Sequence, residues 1–193
     1  NWRQRFVLAT RFVALTRAGR DADKFPMFWG GSYLLRGYDG NSFDIDSPEC
    51  VAHSSELSPC PVRDQLIGSS GALMNVELRF PVIEEFQIGF LGTFPPIDLV
   101  GFFDGGMAWS QSICSIQTSF WDTTECPEDQ QTKVRLAWNR GDADPYVVRT
   151  PLFSYGVGLR FNVFYTVLRF DYSIPLNRPN QRGRFTISFG PSF

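Results

Sequence analysis

No run of about 20 apolar residues occurs in this sequence, so no helix able to cross a bilayer is expected. That absence does not place the chain in the cytoplasm, because membrane-crossing strands alternate and leave only a weak hydropathy trace. The N-terminus, Asn1-Trp2-Arg3-Gln4-Arg5, does not read as a signal peptide. Basic charge is also lacking: the formal net charge is -2, the isoelectric point is about 5.4, and lysines are few. Without a basic stripe to displace counterions, nucleic acid is not expected as a partner. The single histidine, His53, lies in a polar stretch beside Ser54 and Ser55, and no G-x-S-x-G elbow occurs. The chain is therefore not expected to be an enzyme, and His53 reads as a solvated loop residue. Asp44 and Asp46 do not have the spacing of an EF-hand loop and read as a solvated turn rather than a calcium site. No metal or cofactor is expected.

The four cysteines, Cys50, Cys60, Cys114 and Cys126, form two local pairs in polar segments. Neither pair has the short C-x-x-C spacing or the histidine partners of a zinc site, which leaves disulfides or free thiols. Three pairings are open, of which Cys50–Cys60 with Cys114–Cys126 is the most local. Disulfides imply an exported protein.

Phenylalanine, by contrast, is abundant, with 19 residues, and it recurs with a period of two. From Leu152 to Phe164, residues Phe153, Tyr155, Val157, Leu159, Phe161 and Val163 share one face, opposite Ser154, Gly156, Gly158, Arg160 and Asn162. Thr166–Ile174 and Arg184–Phe193 repeat this pattern, as do Leu73–Val82 and Ile97–Trp109. Arg5 to about Thr16 is β-rich with imperfect alternation, and a helix there stays open. Between these segments lie two long polar connections, 18–70 and 110–151, and loops of that length are usually functional. The half from Asn41 to Asp64 reads as solvent-facing.

Alternating strands suit either a soluble sandwich, whose apolar face packs on a second sheet, or a membrane barrel, whose apolar face meets lipid. Aromatics near the strand ends (Trp2, Trp109, Tyr165, Phe193) and the alternation of long with short connections favour the barrel. The expected fold is all-β, an antiparallel transmembrane β-barrel. About six strands cannot close such a barrel, and open edges are not tolerated in lipid. The sequence therefore reads as the C-terminal part of a larger barrel, or as one contributor to an oligomeric one.

Within the first long connection, Gly30-Gly31-Ser32-Tyr33-Leu34-Leu35-Arg36-Gly37-Tyr38 puts one arginine at the tip of a glycine-rich loop too apolar for solvent. Such a loop is expected to insert into the barrel, where Arg36 needs a carboxylate. Glu77 and Asp104 lie on the polar faces of adjacent strands, side by side on a wet lumen wall, where one guanidinium fork could take both. Gly105 and Gly106 would leave room for the loop.

Leu35-Arg36-Gly37-Tyr38 resembles the [V/L]RG[F/Y] loop motif of the Omp85 superfamily, which includes the BamA-like and TamA-like barrels. Phe102-Phe103-Asp104-Gly105-Gly106 is similar to that family's FxDxG strand motif. Asn75–Pro81 looks like the strand between them, and the chain ends on Phe193. Leu35 stands where the family more often has valine. The resemblance covers nearly all of residues 1–193 and implies the last six strands of a sixteen-stranded barrel, with 18–70 and 110–151 as external loops. Leu35, Arg36, Gly37 and Tyr38 would form the loop lock, and Glu77, Phe102, Asp104 and Gly106 its wall.

The resemblance further implies a multi-pass protein of a Gram-negative-type outer membrane that assembles, inserts or translocates proteins. Its implied partners are the lipid bilayer, unfolded barrel clients or a secreted polypeptide, and periplasmic or lipoprotein accessory subunits. The last strand would pair weakly with the first and open as a seam. Here Gly183, Gly190 and Phe193 mark that strand, and Pro191 cannot donate a ladder hydrogen bond. The alternative is a two-partner-secretion transporter or an anchor for an upstream passenger. Periplasmic POTRA repeats before Asn1 would favour assembly or partner secretion, and a hydrolase domain would favour anchoring.

Overall fold

A computed structural model describes residues 6–19, 22, 25–51, 54, 59–83, 86–88, 92–94, 96–110, 112–114, 131–139, 147–163, 166–178 and 181–190. Six strands form its main sheet: β1 (Val7–Leu15), β2 (Ser70–Ile83), β3 (Ile97–Trp109), β4 (Leu152–Val163), β5 (Thr166–Pro175) and β6 (Arg184–Gly190). Each pairs antiparallel with its neighbours in sequence. The segment open to a helix is strand β1, laddered on β2 from Val7↔Arg79 to Leu15↔Gly71. β2 is longer than its alternation suggests, because Ser70–Ala72 continue the ladder opposite Trp109–Met107. Among the described residues the sheet is an open arc, with β1 and β6 at its edges.

Its two faces are inside-out relative to a soluble protein. The concave face buries Asn75, Glu77, Asp104, Ser154, Arg160, Arg169 and Asp171 together with Leu73, Val100 and Phe102. The convex face exposes Phe12, Met74, Leu78, Leu99, Phe103, Tyr155, Val157, Leu159, Tyr172, Phe185, Ile187 and Phe189. Phe12 is 70% exposed, and among the described residues no second sheet covers this face. A sandwich requires the opposite arrangement. Aromatic pairs run across the convex surface, with Phe161 edge-on to Phe170 at 5.4 Å and Phe103 stacked on Phe153 at 5.8 Å. Alternation with apolar residues outward is the pattern of a lipid-facing barrel wall. Of the end aromatics, Trp2, Tyr165 and Phe193 lie outside the described residues.

Over the described residues of Asn41–Asp64 the connection from β1 to β2 is solvent-facing only in part: Asn41, Asp44, Ile45, Asp46 and Val51 are exposed, whereas Ser42, Phe43, Glu49, Cys50, Cys60 and Asp64 are buried. It carries two one-turn helices, Pro48–Val51 and Pro61–Asp64, stapled by a Cys50–Cys60 disulfide. Both cysteines are buried with Leu35, Tyr38, Phe43, Leu66 and Leu152. Arg178, between β5 and β6, clasps this cap through bonds to Glu49 of 2.7 and 2.8 Å, and it also donates to Ser42. A bidentate buried pair satisfies groups that a solvated loop would give to water, which is why Glu49 and Ser42 are buried within this polar stretch. Asp44 accepts a bond from the Asp46 amide and makes a local turn. The 110–151 connection is not all loop: Ser112–Cys114 pairs with Gln131–Lys133, and Arg135–Leu136 with Val148–Arg149. His53 and Cys126 lie outside the described residues, and so does the second cysteine pairing.

Candidate functional site

The Gly30–Tyr38 stretch closes on itself before it reaches the wall. Gly31 donates to the Leu35 carbonyl at 3.1 Å, and Leu34 donates to that of Gly31. At Gly30 any side chain would strike the Tyr38 carbonyl, and Gly37 turns at φ +85°. This tight loop holds Arg36 at its tip against the concave face. Its Nε and Nη2 grip both oxygens of Asp104 at 2.6 Å, while Nη1 donates to Glu77 Oε1 at 2.6 Å. The Phe102 ring lies under the guanidinium, 3.6 Å from Cζ to the ring centroid.

The site is dry where a wet lumen was expected, with Arg36 only 2% exposed and both carboxylates fully covered. Burial works against the Arg36 charge, but the bonds to Asp104 and the fields of Asp104, Glu77 and Asp171 outweigh it, and its pKa is raised. Glu77 and Asp104 are not directly opposite. Asp104 faces Asn75 and Glu77 faces Phe102, so the carboxylates are offset by two residues across β2 and β3. That offset fits the span of one guanidinium, with the Phe102 ring between them.

Several participants were not singled out from sequence. Arg160 on β4 donates to Glu77 at 3.1 Å and to Asp171 on β5 at 2.6 Å. Arg79 takes the other Glu77 oxygen at 2.8 and 3.0 Å. Asn75 accepts two bonds from Arg11 of β1 and donates to the Leu34 carbonyl, tying the loop backbone to the first strand. Their signal was present: each is polar at a concave-face position of an alternating strand, where an ordinary sheet protein would place core. Which of them meet depends on register, and alternation alone does not give that.

The remaining expected residues fall in distinct places. Leu35 is buried, and a Cβ at Gly106 would come within 3.8 Å of its Cδ1. Gly105 makes no room for the loop, because a Cβ there would meet the Phe153 ring at 2.9 Å on the convex side. Tyr38 donates to the Phe153 carbonyl at 3.0 Å and accepts from the Asn177 amide, and burial pushes its phenol up. Gly183 lies over the Tyr172 phenol, and Gly190, at φ +154°, abuts the Tyr33 ring. Pro191 and Phe193 are outside the described residues. Among the described residues no cluster of His, Cys, Asp or Glu could hold a metal.

Arginines with carboxylates as their partners, sealed from water, bind and position; nothing in this cluster pairs a nucleophile with a base. No curated protein and no solved structure matches the chain. The profile of the Omp85 superfamily domain, a family of outer-membrane assembly and translocation proteins that are in general not enzymes, matches residues 1–193. With a polar concave wall, an apolar convex face and a profile match over its full length, the chain belongs to the Omp85 superfamily.

Proposed function

We propose that this chain is the lock-bearing part of an outer-membrane barrel that assembles or inserts other barrel proteins, in the manner of the BamA-like and TamA-like members. The observation that carries this reading is Arg36, held by Asp104 and Glu77 inside the arc while the convex face leaves its apolar side chains exposed. On this reading the 18–70 and 110–151 connections are external, and Leu35 to Tyr38 lock the inserted loop against Glu77, Phe102, Asp104 and Gly106. The strand β6, flanked by Gly183 and ending at Gly190, forms a weak seam with the barrel's first strand and templates client strands by β-augmentation. The partners are then the bilayer, unfolded barrel clients, and periplasmic or lipoprotein accessory subunits.

The test is client insertion by the full-length protein in liposomes. Arg36→Ala and Asp104→Ala are expected to slow insertion while the barrel still forms, as judged by its heat-modifiable mobility on gels. Wild-type insertion by both variants would sink the lock. Export of a soluble polypeptide without barrel insertion would move the reading to secretion.

A further inference from the structure

One residue of the inserted loop touches both ends of the arc. The Tyr33 backbone carbonyl accepts a bond from Arg11 of β1, while its hydroxyl donates to the Phe189 carbonyl of β6, 156 positions away. Neither end of this bridge is loose. Arg11 is itself bonded to Asn75 at 2.8 and 3.0 Å, and the next loop residue, Leu34, is held by the same Asn75. From β5, Arg169 donates to the Ser32 carbonyl at 3.4 Å and sits 5.6 Å from the Tyr33 ring centroid. At the far end Gly190 sits against the Tyr33 ring, where a Cβ would come within 3.0 Å of Cε1. Gly190 adopts φ +154°, and it is the last residue of the β5–β6 ladder.

The loop follows β6 for most of its length. Ser42 accepts a bond from Arg184 at 3.0 Å, and Asp39 meets the Thr186 hydroxyl at 3.5 Å. Those two contacts engage side chains, whereas Tyr33 engages the backbone of the strand at its end. A phenol on the Phe189 carbonyl takes up one of its two acceptor sites, and it fixes that strand end relative to β1. The sequence gives this residue no special standing, since it lies outside the four-residue motif.

We propose that Tyr33 is a positioning residue for the last strand: a strut from β1 that holds the end of β6 and sets how readily it accepts a pairing strand. This deepens the seam reading and rests on it. Arg36 fixes the loop to the wall, and Tyr33 passes that fixed position on to the strand that would pair with clients.

Amide hydrogen exchange of the full-length protein in liposomes tests it, with heat-modifiable mobility confirming a folded barrel. Tyr33→Phe removes one hydroxyl and is expected to raise exchange across Arg184–Gly190 about fivefold, the worth of one net hydrogen bond. Amides of β2 and β3 should stay at the wild-type level. Tyr33→Ala, which also removes the ring, should raise exchange further in the same segment. Unchanged exchange in β6 for both variants would overturn the proposal, as would an equal rise in all strands. Client insertion in the same liposomes separates the two ideas. Raised β6 exchange with an altered insertion rate supports both, and raised exchange with wild-type insertion keeps the strut but removes the seam.

Discussion

Replacing Arg36 by lysine would keep a charge but lose the two-pronged grip on Asp104, because an ammonium cannot present two parallel donors. Arg36→Ala goes further and leaves the fully buried Asp104 without its ion pair, while Glu77 keeps Arg79 and Arg160. Removing one partner of a buried pair costs about 3–5 kcal/mol. Both Arg36→Ala and Asp104→Ala should lower the urea midpoint for unfolding from bilayers. The double variant should be little worse than either single one, and additive losses would show that the two do not act together. Asp39 gives a pH prediction. Burial raises its carboxyl above the usual range, partly offset by Arg184 and the Thr186 hydroxyl. An acid raised on folding favours the folded state while protonated, and that contribution is lost as pH climbs from about 3.8 through its raised value. Exchange protection of β6 should therefore fall over that acid window, and Asp39→Asn should flatten the fall. An identical pH profile in the variant would refute the assignment.

At the scale of elements, the disulfide-stapled cap over the loop is the most separable part. Its bridge closes a loop ten residues long, worth about 2–3 kcal/mol in the chain-entropy model. Reduction, or Cys50→Ala with Cys60→Ala, should make residues 41–66 sensitive to limited proteolysis while the strands stay protected. Equal protection after reduction would show that the Glu49–Arg178 clasp alone suffices. This cap was also the least legible element. Its helices are four residues each, too short to show a period, and their partners are remote: Arg178 holds Glu49 from 129 positions away, and Arg149 donates to the Asp64 carbonyl from 85. Strands were legible because alternation is local: Tyr155, Val157 and Leu159 stand outward in the structure as in the sequence. Arg36, Glu77 and Asp104 could be linked because a charge in an apolar loop demands a partner and the strands offered two. The Arg160–Asp171 bond and the two-residue offset across β2 and β3 could not be, because register is a property of paired strands and not of one.

For the whole molecule the governing contrast is between its faces. Val157 lies mid-strand on the convex face, between Gly101 of β3 and Tyr172 of β5. Val157→Arg should cost about 2–4 kcal/mol of folding into bilayers if it lies near the midplane. In detergent micelles, where water reaches the surface, the loss should be smaller. An equal loss in both media would argue against a lipid-facing wall. The charged cluster on the other face draws one side chain each from β3 and β4, two each from β2 and β5, and one from the loop. In any of these strands a slip by one residue would turn its ionised group outward into hydrocarbon. Only one alignment of four strands completes the cluster, so on the proposed reading Arg36 would proofread folding. A chain with its strands misaligned would find no seat for the loop and would expose its own error as a charge in the membrane.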